Sequence, residues 1–202
     1  PYVAINCAAI QSTVLESELF GYEPGAYTSA EKRKEGLMEV ADGGILFLDE
    51  ISTMGVDTQA KLLRAVEEQA FRRVGGTALI KVDFQLIAAS NRDLPMLIKE
   101  GAFREDLYYR LKVVDLHLPP LRERKADIPE LVGLIMHQLN PRMGLNIQDI
   151  DPHAMEKLVA YDWPGNIRQL ANAIERAMLF CDEASLGLQH LPPEIVTKPK
   201  MK

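Results

Sequence analysis

The run GGILFLDE, residues 43–50, constrains the fold more than any other stretch of this chain. A Gly-Gly break precedes residues 44–48, which are continuously apolar, and Asp49 and Glu50 follow at once. A strand with one wet face alternates apolar and polar side chains. An unbroken apolar run therefore describes a strand covered on both faces, as in a parallel sheet. Residues 84–89 are a second buried-strand candidate, ending in Ser90, Asn91 and Arg92. Residues 2–5 are expected to form a short strand, and residues 113–118 a further one, closed by Pro119 and Pro120.

Helical signals lie between and after these runs. Thr13 and Glu16 have capping-box spacing, with Gly21 as a stop. Residues 56–69 place Val56, Ala60, Leu63 and Val66 on one face. Residues 71–82, with Gly75 and Gly76 at the centre, read as a hairpin, and residues 94–100 and 105–111 as short helices. From Asp127 onward the pattern is helical throughout. Ile128, Leu131, Val132, Ile135 and Leu139 form one stripe, and residues 152–160 a helix with proline early. After a corner at residues 162–165, in which Trp163 is expected to pack, Ile167, Leu170, Ala171, Ile174, Ala177 and Met178 form another apolar face. The expected fold class is α/β: a parallel-sheet core over residues 1–120, then a small all-α subdomain over 121–193 and a flexible tail over 194–202.

Composition narrows the function classes. Twenty-three Lys and Arg against 29 Asp and Glu give a formal net charge of -6, so the chain is a poor ligand for nucleic-acid phosphates by itself. Cys7 and Cys181 match no metal-binding spacing and read as buried thiols of a reducing, cytoplasmic compartment. No apolar run approaches the roughly 18 residues of a membrane span. The first ten residues lack the basic start of a signal peptide and begin within a strand, as a fragment would.

The chemistry centres on the two acids. A buried strand delivers its last side chains to the ligand-binding edge of an open α/β sheet. There a first carboxylate can hold Mg²⁺ through water against nucleotide phosphates, and a second can orient or deprotonate an attacking water. By itself the run is equally compatible with a strand that ends in exposed carboxylates. Three further segments accompany it: ESELFGYEPGAYTSA, FREDLYYRL and WPGNIRQL. Together with the 43–50 run, which resembles a Walker B strand, they resemble in order and spacing the AAA+ domain of bacterial sigma-54-dependent transcription activators. The GAYTSA segment is similar to that family's GAFTGA loop.

The resemblance implies roles. Asp49 is the Mg²⁺ carboxylate and Glu50 the water-activating base, and Asn6 senses the state of Glu50. Ser90 and Asn91 stand at sensor I, and Arg168 at sensor II on a lid helix. Arg104 and Arg110 act as fingers reaching a neighbouring subunit's nucleotide, which requires a homo-oligomeric ring, hexameric or heptameric in the family. Without the resemblance, both arginines read as partners of Glu105 and Asp106. Gly25, Ala26, Tyr27, Thr28, Ser29 and Ala30 form the loop that contacts sigma-54 on RNA polymerase, with Thr28 as the contacting threonine. The cofactors implied are ATP and Mg²⁺; DNA is contacted only through a separate domain, and there is no membrane.

Two departures qualify this. Tyr27 stands where the family has Phe, and Ser29 where it has Gly, so a Cβ is placed where the backbone could need φ > 0. A non-activating AAA+ module for regulation or oligomerisation is therefore the alternative. No G-x-x-x-x-G-K-[ST] phosphate loop occurs in the 202 residues. The chain alone is accordingly expected to bind ATP poorly and not to turn it over.

Overall fold

In the computed structural model the apolar run forms the middle strand of a three-stranded parallel sheet. Residues 1–28 and 30–197 are described; Ser29 and residues 198–202 lie outside the described residues. Strand β1 spans Tyr2–Asn6, β2 Ile45–Asp49 and β5 Gln85–Ala88, in the order β1-β2-β5. Tyr2 pairs with Ile45 and Asn6 with Asp49, while Ile45 pairs with Gln85 and Leu48 with Ala88. On β2, Leu46 and Leu48 are fully buried and Ile45 and Phe47 half-buried, which accounts for a run without polar alternation.

The chain divides into two units, between Asp115 and Leu116. In the first, helices α1 (Ser12–Phe20), α2 (Leu37–Val40), α3 (Val56–Glu68), α4 (Leu94–Lys99) and α5 (Glu105–Leu111) accompany the sheet. Its core joins Leu15, Leu19, Met38, Leu46, Leu62 and Leu107. The expected hairpin is present as β3 (Ala70–Phe71) and β4 (Ile80–Lys81), antiparallel, with Phe71 edge-on to Phe20 at 5.7 Å between ring centroids.

Several expectations are corrected here. Residues 113–118 form no strand: Val113, Val114, Leu116 and Leu118 are 76–83% exposed. An apolar extended segment is buried only when a ladder partner receives it, and none of the described residues pairs with this one. Helix α1 starts at Ser12, with Gln11 at its N-cap and no side-chain cap. Thr13 thus falls inside the helix, and Glu16 meets Lys61 Nζ at 2.5 Å instead of closing a capping box. Gly21, at φ 68°, does end the helix, its N–H donating to the Ser17 carbonyl. On α3 the buried face runs through Thr58, Gln59, Leu62, Leu63 and Ala65, and Val56 is exposed. The stripe is turned because the side chain of Gln59, fully buried, occupies a core position that a count of apolar residues omits.

The second unit is helical: α6 (Ile128–Met143), α7 (Pro152–Ala160), α8 (Asn166–Leu179) and α9 (Pro193–Val196), with a two-stranded parallel pair, β6 (Asp149–Ile150) and β7 (Ser185–Leu186). Asp151 caps α7, accepting from the N–H groups of His153 and Ala154, and proline at its first position lacks only a donor the helix start would leave unpaired. Ile128, Val132, Leu158, Trp163, Leu170 and Ile174 are fully buried in one core. Trp163 packs the corner as expected, with Nε1 donating to the Leu158 carbonyl at 2.7 Å. Ile167, by contrast, is 36% exposed and not part of the buried face. Residues 193–196 are α9, with Ile195 buried, where composition suggested a flexible end.

Candidate functional site

Because β1, β2 and β5 are parallel and in register, their C-terminal ends emerge along one sheet edge. That edge carries Asn6, Asp49 with Glu50, and Ser90 with Asn91. The ladder runs to the edge itself: Ala89 N donates to the Leu48 carbonyl at 2.8 Å, and Ile51 N to the Ala89 carbonyl at 3.0 Å.

Asp49 is half-buried and receives two hydrogen bonds. Asn6 Nδ2 donates to its Oδ2 at 3.2 Å, and the Glu50 N–H to its Oδ1 at 3.0 Å. Asn6 is held in turn, its Oδ1 accepting from the N–H groups of Ala8 and Ala9. Asn6 therefore meets Asp49, the residue before Glu50. Glu50 sits in the left-handed region at φ 55°, ψ 42°, a conformation that costs a non-glycine residue about 1–2 kcal/mol. The following turn holds it there, with Thr53 Oγ1 donating to the Glu50 carbonyl at 2.9 Å. Among the described residues the Glu50 carboxylate has no hydrogen-bond partner, so it is free to take a water. Cys7, next to Asn6, is almost fully buried, and burial followed by the charge of Asp49 pushes its thiol up to about 11.

No cluster of three or more His, Cys, Asp or Glu side chains among the described residues could hold a metal alone. One half-buried carboxylate fits a hard ion such as Mg²⁺, which takes one or two protein carboxylates and completes its shell with water and phosphate oxygens.

The remaining site residues are placed around this edge or apart from it. Ser90 and Asn91 are exposed, and the Ser90 hydroxyl donates to the Arg92 carbonyl and accepts from the Arg92 N–H. Arg104, half-buried, is the N-cap of α5, and Arg110 stands exposed in its last turn. Arg104 forks onto Asp106, Nε to Oδ1 at 3.0 Å and Nη2 to Oδ2 at 2.6 Å; this pairing raises the guanidinium and lowers the carboxyl in pKa. Arg110 Nη2 reaches the Val66 carbonyl at 3.4 Å. Neither arginine bonds Asp49 or Glu50 among the described residues. Arg168 belongs to the second unit, exposed on α8.

The chain turns at residues 24–28. Gly25 N donates to the Ala30 carbonyl at 2.8 Å and Ala30 N to the Tyr27 carbonyl at 2.9 Å; Ala30 is buried and Thr28 exposed. Tyr27 stands edge-on to Tyr22 at 4.9 Å between centroids. Ser29 lies outside the described residues.

Two residues escape a motif-based reading. Gln59 donates through Nε2 to the carbonyls of Met54 and Ala102 and accepts through Oε1 from the Arg104 N–H at 2.8 Å, fixing the backbone that presents Arg104. Arg73, 8% exposed, is paired with Glu39 and Glu23. A polar residue at a core-facing helical position was the one available signal for Gln59; Arg73 had none.

No helix of the described residues is long and apolar enough to cross a membrane. Residues 1–117 match the family described as the sigma-54 interaction domain, and residues 122–202 the AAA+ ATPase lid domain. The regulatory protein AtoC of Escherichia coli (strain K12) is 50% identical over 195 residues, 96% of this chain and 42% of AtoC. The transcriptional regulatory protein ZraR of the same strain is 47% identical over 199 residues, 98% of this chain and 45% of ZraR. The crystal structure of NtrX from Brucella abortus in complex with ADP superposes with a TM-score of 0.88 at 43% identity, covering 96% of this chain and 43% of that one. The chain spans less than half the length of these relatives. With its parallel-sheet core, helical lid and GAYTSA loop, it belongs to the sigma-54 interaction domain family of AAA+ proteins.

Proposed function

We propose that the chain is the greater part of an ATP-hydrolysing motor that remodels the sigma-54 form of RNA polymerase to open promoters. The carrying observation is the sheet edge on which Asn6 holds Asp49 while the Glu50 carboxylate beside it has no partner among the described residues. ATP is the nucleotide; NtrX has been solved with ATP as well as with ADP. Asp49 would hold Mg²⁺ through water, and the ion would supply neutralisation of phosphate charge. Glu50 would orient and deprotonate the attacking water, with Ser90, Asn91 and, from the lid, Arg168 responding to the nucleotide. Arg104 and Arg110 are held only by weak exposed partners. That suits side chains which leave Asp106 and Val66 for the phosphates of a neighbouring subunit in a ring. Residues 25–30 would carry the motion to sigma-54, in the cytoplasm, while any DNA contact falls to another domain.

The test uses the full-length protein. Glu50→Gln should retain ATP binding and lose turnover by about 10²–10⁴-fold. Mixing Glu50→Gln subunits with Arg104→Ala subunits should restore part of the turnover each lacks, because a site built from the intact half of each forms at some interfaces. No restoration in mixed rings would remove the arginines from a trans role. Residues 1–202 alone, lacking the phosphate loop, should show no turnover; activity abolished by Glu50→Gln would refute that. The non-activating alternative is favoured by Ser29 standing where the family has Gly. It prevails if only Ser29→Gly opens promoters.

A further inference from the structure

A hollow of about 290 Å³ opens between α1, α3 and the β3–β4 hairpin. None of its lining residues belongs to the sheet edge that carries Asp49 and Glu50, or to residues 25–30. Its size stands just below the roughly 300–1,000 Å³ of small-molecule sites, so an occupant has to be small. Phe20, Ala65, Ala70 and Phe71, all buried, give it an apolar lining. Leu79, from the hairpin, also lines it and is 52% exposed. An apolar group that enters here therefore takes Leu79 out of water together with its own surface.

Four cations line the hollow, and two of them are already neutralised. Arg73 is paired with Glu39 and Glu23, and Lys61 with Glu16. The other two are not. Arg64, exposed on α3, has no hydrogen-bond or ion-pair partner among the described residues. Arg72 donates through Nε to the Thr77 carbonyl at 3.0 Å, and both its Nη groups lack a partner among the described residues. The uncommitted acid of the lining is Glu68, one helical turn on from Arg64. Two guanidiniums against one carboxylate leave an excess of positive charge at the hollow, in a chain whose net charge is -6. A guanidinium offers a planar fork to a carboxylate, and beside an apolar wall that attraction is screened less than in open water.

We propose that this hollow binds a small carboxylic acid with an apolar body, the body against Leu79 and the buried lining, the carboxylate on Arg64 and Arg72. The site is independent of the nucleotide chemistry proposed above. It needs only the first unit, and its charged groups are exposed side chains on which no core packing depends.

Titration of the 202-residue chain with hydrocinnamate, followed by amide shifts in heteronuclear NMR, tests the site; hydrocinnamamide is the neutral counterpart of the same shape. The acid should shift the amides of Ala65, Phe71 and Leu79 saturably, leave those of Leu46 and Leu48 in place, and bind at least about tenfold more tightly than the amide. Arg64→Gln should weaken the acid about tenfold and leave the amide within about twofold. Glu68→Gln should tighten the acid about threefold by removing the competing carboxylate. Leu79→Ser should weaken acid and amide alike. Equal affinity for acid and amide would overturn the proposal by reducing the hollow to an apolar patch. So would shifts that never saturate or that fall outside the lining, or an Arg64→Gln chain that binds the acid as well as wild type does.

Discussion

Asn6 and Asp49 close the ends of two adjacent parallel strands: they are backbone partners in the ladder, and Asn6 Nδ2 donates to Asp49 Oδ2 at 3.2 Å. The same amide caps the short turn at Cys7–Ala9 through its oxygen. Asn6→Ala removes both functions and should destabilise the chain by about 1 kcal/mol in urea unfolding. Asn6→Asp keeps the cap but sets a carboxylate against Asp49. It should be less stable than wild type at low ionic strength, with the deficit shrinking in about 0.5 M salt as the repulsion is screened. An Asn6→Asp protein as stable as wild type at low salt would make the contact incidental.

Gln59 offers a sharper test of how Arg104 is presented. Its buried amide serves two carbonyls and one N–H. Gln59→Leu fills nearly the same volume and leaves the Met54 and Ala102 carbonyls and the Arg104 N–H without their partner. A buried group so stranded costs about 1–3 kcal/mol, and water will recover part of the three, so a loss of about 2–4 kcal/mol is expected in chemical denaturation. In the full-length protein the variant should also lower turnover without touching the Arg104 side chain. A loss below about 1 kcal/mol would mean that the amide is dispensable.

Trp163 is the single tryptophan and fully buried. Its fluorescence should therefore be blue-shifted and poorly quenched by acrylamide, and it should report unfolding of the second unit alone. Trp163→Phe retains most of the apolar volume but orphans the Leu158 carbonyl; about 1–3 kcal/mol should be lost, followed by far-UV circular dichroism. Trp163→Ala should cost about 3–5 kcal/mol. Red-shifted, readily quenched emission in the folded protein would contradict this packing.

What could be read from the sequence was what local chemistry enforces. The 43–50 run suited a covered strand, because it is short, lacks polar alternation and follows a Gly-Gly break. Its parallel partners then fixed which side chains share an edge. The stripe of Ile128, Val132, Ile135 and Leu139 was legible for the same reason: helical period and burial coincide. Legibility failed where a residue's state depends on partners remote in sequence. Gln59 is buried because Ala102 and Arg104, over 40 positions away, complete its hydrogen bonds. Arg73 is buried because Glu39 and Glu23, 34 and 50 positions away, neutralise it. Residues 113–118 have the composition of a strand, but a strand is a relation between two segments, and composition describes only one. At the site, the resemblance gave Asn6 a role but no partner, and the ladder supplies one, Asp49.

Cys7 carries a pH dependence whose sign follows from its surroundings. Burial, and then the charge of Asp49, raise its thiol from 9.0 to about 11 in the folded chain. The unfolded chain thus loses this proton first as pH rises. The contribution of the protonated thiol is fully present below about 9 and is lost as pH climbs towards about 11, with a limiting slope of about 1.4 kcal/mol per pH unit. Other groups titrate in the same range, so the useful quantity is the stability difference between wild type and Cys7→Ala, whose side chain cannot ionise. At neutral pH wild type should be ahead by about 1 kcal/mol from packing. Between about pH 8 and pH 10.5 that advantage should fall by roughly 2 kcal/mol and can reverse sign. If instead the difference stays constant across this range in urea unfolding, the thiol ionises equally in both states. Cys7 would then have to be reached by water in the folded chain, contrary to its burial.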